Sequence, residues 1–403
     1  MLDTASLMIF AATPFPWSDL RPTVLSFVYL AIAAGVLFFL ITVGNGLPLR
    51  RLFTTHFWPT QRHRAVPWTF LDLMVILILF LGIELLLLPI FKHIGQTLAA
   101  TPDFAKPTEV QRFAGSLIAD TIAARHLGSP WTCVLNTPTS EYADAVFVSE
   151  YRWLHIGMVV CRVFCCIAFT VYLMLHTGAR PFNFLLTTFQ WRQNLWRGYL
   201  TWFAVTLPLT YLYVLLLRYA EVVGTKTQHP VETFLALTPW SGDYVLALLL
   251  TVVISPAAEE LLMRGIIQPL FIDEPMLADS FILMALVLAI GYGLSESSLL
   301  DENKAGWAWG PIVFLVLVGP GYLAFEWLTR RLLPKPGAAR GIFAVALLFA
   351  LLHSSVWPSP VPIFLLGVAL GYLAYRTQSL TGCFVAHALF NAVSMLTTFV
   401  ARA

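Results

Sequence analysis

The chain has 403 residues, of which 58% are hydrophobic and only 11% charged, with a formal net charge of +2. Soluble domains carry about 25% charged residues, so this balance, with a mean hydropathy of +0.77, excludes an ordinary soluble globular protein. It predicts an all-α, polytopic transmembrane helical bundle. No Lys/Arg-rich run and no basic patch with interleaved aromatics is present, which argues against nucleic acid as a partner; the partner the composition demands is the lipid bilayer.

About ten spans are predicted on the criterion that a crossing helix needs about 20 apolar residues. In chain order they cover 23–43, 68–91, 153–175, 198–218, 243–271, 279–294, 308–328, 341–357, 361–375 and 380–400. The first twenty residues lack a basic segment followed by a compact apolar stretch, so Val24–Val43 is read as a span and not as a cleaved leader. The fifth span is long and is expected to break near Pro256. The sixth, eighth and ninth are short, as tilted, re-entrant or laterally buried helices would be.

Loop charges orient the set. Arg50, Arg51, Arg62 and Arg64 lie in one loop, Arg180, Arg192 and Arg197 in another, and Arg330, Arg331, Lys335 and Arg340 in a third. The intervening 219–242 and 295–307 loops carry Lys226 and Lys304 alone. The basic loops fall on one side of a ten-span arrangement and are expected to be cytoplasmic, with both termini outside and the protein in the plasma (inner) membrane. In the long 92–152 loop, Val110, Phe113, Leu117, Ile118 and Ile122 form one helical stripe, read as an interfacial amphipathic helix in preference to a substrate lid. Five cysteines without a CxxC predict neither a disulfide framework nor a zinc finger.

Polar residues inside the apolar runs are the informative ones. Ser255-Pro256-Ala257-Ala258-Glu259-Glu260-Leu261-Leu262-Met263-Arg264-Gly265 puts two carboxylates and a guanidinium where each charge costs about 2.5–3.5 kcal/mol on insertion scales. Glu260 and Arg264 are i,i+4 and are expected to form an internal pair. Glu259, about 100° round the helix, has no partner at this spacing and is the candidate catalytic residue. Of nine histidines, only His353 and His387 lie well inside apolar segments. Phe349 precedes His353 and His387 precedes Asn391 at i,i+4, so each pair shares a helix face. Asp72, Glu84, Arg162 and Glu326 are read as interhelical structural charges, Glu84 pairing with Arg162.

Two chemistries use this set. A carboxylate hydrogen-bonded to a histidine can deprotonate a water while a His–Asn pair stabilises an oxyanion. Alternatively Glu259, His353 and His387 make a His₂Glu zinc site with an open position for water. Spacing alone leaves both open. Rival signatures fail: there is no HExxH, Gly293-Leu-Ser295-Glu is not a GxSG site, and Trp240-Ser-Gly-Asp243 lacks the first glycine of GxGD.

Glu259-Glu260-x-x-x-Arg264, Phe349-x-x-x-His353 and His387-x-x-x-Asn391, in that order on apolar helices, resemble the three motifs of the CPBP family. These are the CAAX prenyl endopeptidases and the bacteriocin-processing or Abi-type intramembrane proteases. The likeness covers 243–272 and 338–400. It implies an intramembrane endopeptidase acting on lipidated (CAAX-like) or other membrane-associated peptides and proteins. Carried over by position, it implies Glu259 as the water-activating base helped by His353, Glu260 and Arg264 as the structural pair, and His387 and Asn391 as oxyanion or ligand groups. The family is often labelled metalloprotease, which leaves zinc, on Glu259, His353 and His387, as the one cofactor implied. Residues 241–403 then form the catalytic membrane domain, with an insertion at 273–337 between motifs that usually occupy successive helices. Residues 1–240 form N-terminal helices of unassigned role. Two other readings are a catalytically silent scaffold or immunity protein of this fold, which would need the Glu260–Arg264 pair but not Glu259, and a proton-coupled transporter. No internal repeat supports the transporter.

Overall fold

The computed structural model describes residues 17–43, 65–99, 141–187, 190–222, 230–237, 241–295, 318–330, 332, 333, 335, 337–354 and 358–400. Among them there is no strand. The helices are α1 (Trp17–Val43), α2 (Phe70–Ala99), α3 (Glu141–Thr177), α4 (Trp191–Val222), α5 (Pro230–Leu237), α6 (Ser241–Leu248), α7 (Ser255–Glu260), α8 (Gln268–Asp273) and α9 (Pro275–Ser295). They continue with α10 (318–329), α11 (Ala338–Leu351), α12 (Pro360–Thr377) and α13 (Leu380–Val400). The amphipathic stripe expected at 110–122, most of the basic 44–67 loop, and 295–307 beyond Ser295 lie outside the described residues.

Among the described residues seven helical stretches are long and apolar enough to cross a membrane: Arg21–Thr42, Phe70–Thr97, Phe147–Thr177, Trp191–Arg218, Gly242–Asp273 (α6 to α8), Pro360–Thr377 and Leu380–Thr397. This is an integral membrane protein. The expected sixth and eighth spans correspond to α9, which starts at Pro275, and to the shorter apolar helix α11, which starts after the Gly337 turn and ends at Leu351. The expected break near Pro256 does not occur. The chain stays helical from Ser241 to Asp273, but two π-helical segments, Leu249–Ile254 and Leu261–Ile267, flank α7. A π turn widens the ladder just where proline brings no N–H and crowds the preceding turn, so the helix continues.

The described chain divides into two compact units, residues 1–76, 166–228 and 251–403 in one, and 77–165 and 229–250 in the other. In the first, α13 packs on α1, α4, α7 and α12, and α11 packs on α8, α9 and α12. Helices from the N-terminal part of the chain therefore back the C-terminal ones. Gly198 of α4 faces Gly382 of α13 so closely that a Cβ at 198 would lie 2.3 Å from the Gly382 carbonyl oxygen. Neither backbone can yield, so Gly198→Ala is expected to cost about 1–3 kcal/mol or more, read as a lowered thermal midpoint of the purified protein.

The interhelical charges have structural partners. Asp72 caps α2: its Oδ2 accepts from the Thr69 amide at 2.8 Å and the Thr69 hydroxyl at 2.9 Å, while Tyr172 donates to Oδ1 at 3.1 Å. Arg340 of α11 bridges Asp279 of α9 at 2.7 Å and Glu326 of α10 at 3.0 Å, and Tyr322 donates to Asp279. Lys335 pairs with Asp273 at 2.5 Å. The insertion is thus tied to both ends of the segment it interrupts. In the second unit Arg162 is the charge acting on Glu84, and Arg152 forks onto buried Asp243 at 2.6 and 2.8 Å. The near-miss to a GxGD motif is therefore committed to an ion pair.

Candidate active site

The two carboxylates of α7 meet different surroundings. Side-chain exposure is 18% for Glu259 but 1% for Glu260 and 0% for Arg264, so only Glu259 can meet a substrate or solvent. Glu260 Oε1 accepts from Arg264 Nη1 at 3.0 Å, the i,i+4 pair that the spacing predicts. The same oxygen contacts His387 Nδ1 at 2.8 Å. Arg264 is held twice more, its Cζ 4.7 Å from the centre of the Phe349 ring and its Nη2 3.3 Å from the Gly367 carbonyl.

Phe349 is the hub of the apolar side. Its ring meets the rings of His353 and His387 edge to face, with centroids 4.9 and 5.5 Å apart. α11 ends at Leu351, so His353 sits in the turn just beyond it, half-buried, and not inside a span. Its Nδ1 lies 2.8 Å from the Phe349 carbonyl. A carbonyl only accepts, so Nδ1 carries the proton there, and neutral His353 offers Nε2 as an acceptor.

The same logic fixes His387. Glu260, paired with Arg264, is an acceptor, so Nδ1–H of His387 donates to it. In its neutral form the ring then turns a bare Nε2 toward Glu259 Oε2, 3.8 Å away. That distance is too long for a hydrogen bond. Two acceptors facing each other across such a gap are complementary to one water, whose two O–H groups can donate to both. Asn391, one turn along α13, donates from Nδ2 to the Thr251 carbonyl at 2.9 Å. An amide nitrogen has two hydrogens, so one remains for an oxyanion.

The structure therefore brings Glu259, Glu260, Arg264 and His387 into one contact chain, joins His353 to it through Phe349, and ties Asn391 to the motif helix nearer its start. Sequence spacing pairs Glu260 with Arg264 alone and misses its contact with His387, because that contact crosses two helices. It also misses Gln268, whose polar side chain in an apolar run, eight residues after Glu260, is the signal that could have revealed it.

The zinc alternative needs Glu259, His353 and His387 to converge. Each imidazole keeps Nε2 as an acceptor, but only that of His387 faces Glu259, at 3.8 Å, while His353 is joined to them through the Phe349 ring. Among the described residues no three His, Cys, Asp or Glu side chains are disposed to hold a metal ion. This arrangement does not fit the three-ligand set, and no step is derived through a metal.

No curated protein and no solved structure matches the chain. A family model does, over residues 241–393, which take in α6 to α12 and most of α13 and carry all three motifs. This C-terminal region is similar to the type II CAAX prenyl endopeptidases, the Rce1-like family.

Proposed function

We propose that the protein is an intramembrane endopeptidase that hydrolyses peptide bonds of lipidated (CAAX-like) or other membrane-associated substrates with a water activated by Glu259. The observation that carries this is the facing pair of acceptors, Glu259 Oε2 and His387 Nε2, 3.8 Å apart, with His387 held by buried Glu260. A water between them gives a proton to the Glu259 carboxylate as its oxygen adds to the scissile carbonyl carbon. The remaining Asn391 N–H donates to the oxyanion, and His353, packed on the same Phe349 ring as His387, keeps Nε2 as an acceptor for a substrate N–H. As the C–N bond breaks, Glu259 returns the proton to the leaving amine, so protons balance over one turnover. The basic loops support placement in the plasma (inner) membrane with the 44–67, 176–197 and 329–340 loops cytoplasmic.

The test is cleavage of farnesylated and plain forms of one peptide by the purified protein. Wild type is expected to cleave, and His387→Ala and Asn391→Ala to lower kcat by about 100-fold or more. Full activity in His387→Ala would sink the mechanism. Proton-coupled uptake into vesicles without cleavage would move the protein to the transporter reading. Metal analysis of the same preparation addresses zinc: stoichiometric zinc whose removal abolishes cleavage would bring back the His₂Glu alternative.

A further inference from the structure

Beyond the motif residues, one more side chain of the motif helix touches the helix opposite it in the same way as Arg264 does. Gln268 is 2% exposed, and its Nε2 donates to the Gly371 carbonyl at 2.9 Å. One turn earlier Arg264 Nη2 donates to the Gly367 carbonyl at 3.3 Å. Donors at 264 and 268 thus engage carbonyls at 367 and 371, two rungs four residues apart on each helix. Both acceptor positions are glycines, and neighbours crowd the space a side chain would need at each. A Cβ at 371 would lie 2.9 Å from Gln268 Oε1 and 3.0 Å from Ile342 Cγ2, and one at 367 would lie 3.1 Å from the Ala346 Cα and Cβ.

Each rung carries a buried polar atom with no hydrogen-bond partner among the described residues, Arg264 Nε in the first and Gln268 Oε1 in the second. A buried orphan acceptor destabilises the fold where an apolar side chain of the same length would not. Packing alone therefore gives no reason for an amide here; register does. Residues 261–267 are π-helical, a geometry with a poorer intrahelical ladder, so the rotation of this stretch about its axis needs fixing from outside. Gln268 is the first residue after that segment, and its bond to Gly371 fixes the rotation one turn beyond Arg264.

We propose that Gln268 is a positioning residue of the hydrolytic site, acting through Arg264 and Glu260 to set the His387 ring against Glu259. The inference rests on the proteolytic reading. Loosening the second rung lets the π segment turn, shifts Arg264 on the Phe349 face and moves the Glu260 oxygen that holds His387 Nδ1.

The experiment compares wild type, Gln268→Met and Gly371→Ala, the last keeping the amide but filling the space its oxygen occupies. Both variants are expected to fold and to lower kcat about tenfold, with KM within about twofold of wild type. The double variant should be no worse than Gly371→Ala alone, since both remove one rung. In protein labelled with ¹⁵N-histidine, both should also shift the His387 Nδ1 resonance, assigned by its loss in His387→Ala. Wild-type kcat and an unmoved His387 resonance in Gln268→Met would overturn the proposal, as would a loss confined to thermal stability. The nitrogen spectrum keeps the two failures apart. If wild type does not cleave any peptide the proteolytic reading falls, while a shifted His387 resonance would still show the coupling.

Discussion

Glu259→Gln is expected to lower kcat for peptide cleavage about a thousandfold while leaving the thermal midpoint close to that of wild type. The two halves of that expectation have separate causes. Glutamine keeps the shape and an acceptor oxygen, but cannot take the proton from the water that its oxygen and His387 Nε2 would hold between them. Glu259 is also the partly exposed member of the pair, 3.8 Å from His387 Nε2 and outside the buried Glu260–Arg264 contact, so its charge matters less to the fold than that of Glu260. Cleavage assays and thermal denaturation of one preparation check both halves. Wild-type turnover in Glu259→Gln would take this residue out of the chemistry and leave the scaffold reading as the better one.

Arg264→Met gives the opposite pattern. Glu260 and Arg264 are sealed from solvent at 3.0 Å, and replacing the arginine leaves a buried carboxylate whose charge is uncompensated, held only by the His387 N–H, a loss of about 3–5 kcal/mol. The single variant is therefore expected to unfold at a much lower temperature and to lose activity with its fold. Replacing both, as Glu260→Leu with Arg264→Met, removes the uncompensated charge and is expected to be more stable than Arg264→Met alone. It should nevertheless stay inactive, because His387 Nδ1 then has no carboxylate to fix its tautomer. A double variant that regains cleavage together with stability would show that the pair only supports the fold and does not orient His387. A loss below about 1 kcal/mol in Arg264→Met would show that the pair behaves as an exposed one.

The contrast between these variants follows from one geometric fact. Adjacent residues on a helix point about 100° apart, so Glu259 and Glu260, identical in chemistry, face an accessible edge and a sealed interior. The sealed one orients His387 and the accessible one meets the water.

Local spacing determined much of this. Charge content and the length of the apolar runs require a helical membrane protein, because lipid accepts no backbone whose hydrogen bonds are not met within the element. The i,i+4 relations of Glu260 with Arg264 and of Phe349 with His353 are properties of any helix, and both contacts are found as the spacing predicts. The three motifs and their order carried the family resemblance, which the match over residues 241–393 supports independently.

Tertiary structure decided what spacing does not encode. The helix that proline should have broken continues through π turns, since a ladder can absorb a missing N–H by changing its repeat. His353 lies in a turn because α11 stops at Leu351, a boundary that apolar composition does not mark. The packing of α1 and α4 on α13 and the contact of His387 with Glu260 join residues more than a hundred positions apart. Sequence periodicity names the face a side chain occupies on its own helix. Which other face it meets depends on how closely backbones can approach, and that is set here by single glycines such as Gly198 and Gly367, seen only once the helices are packed.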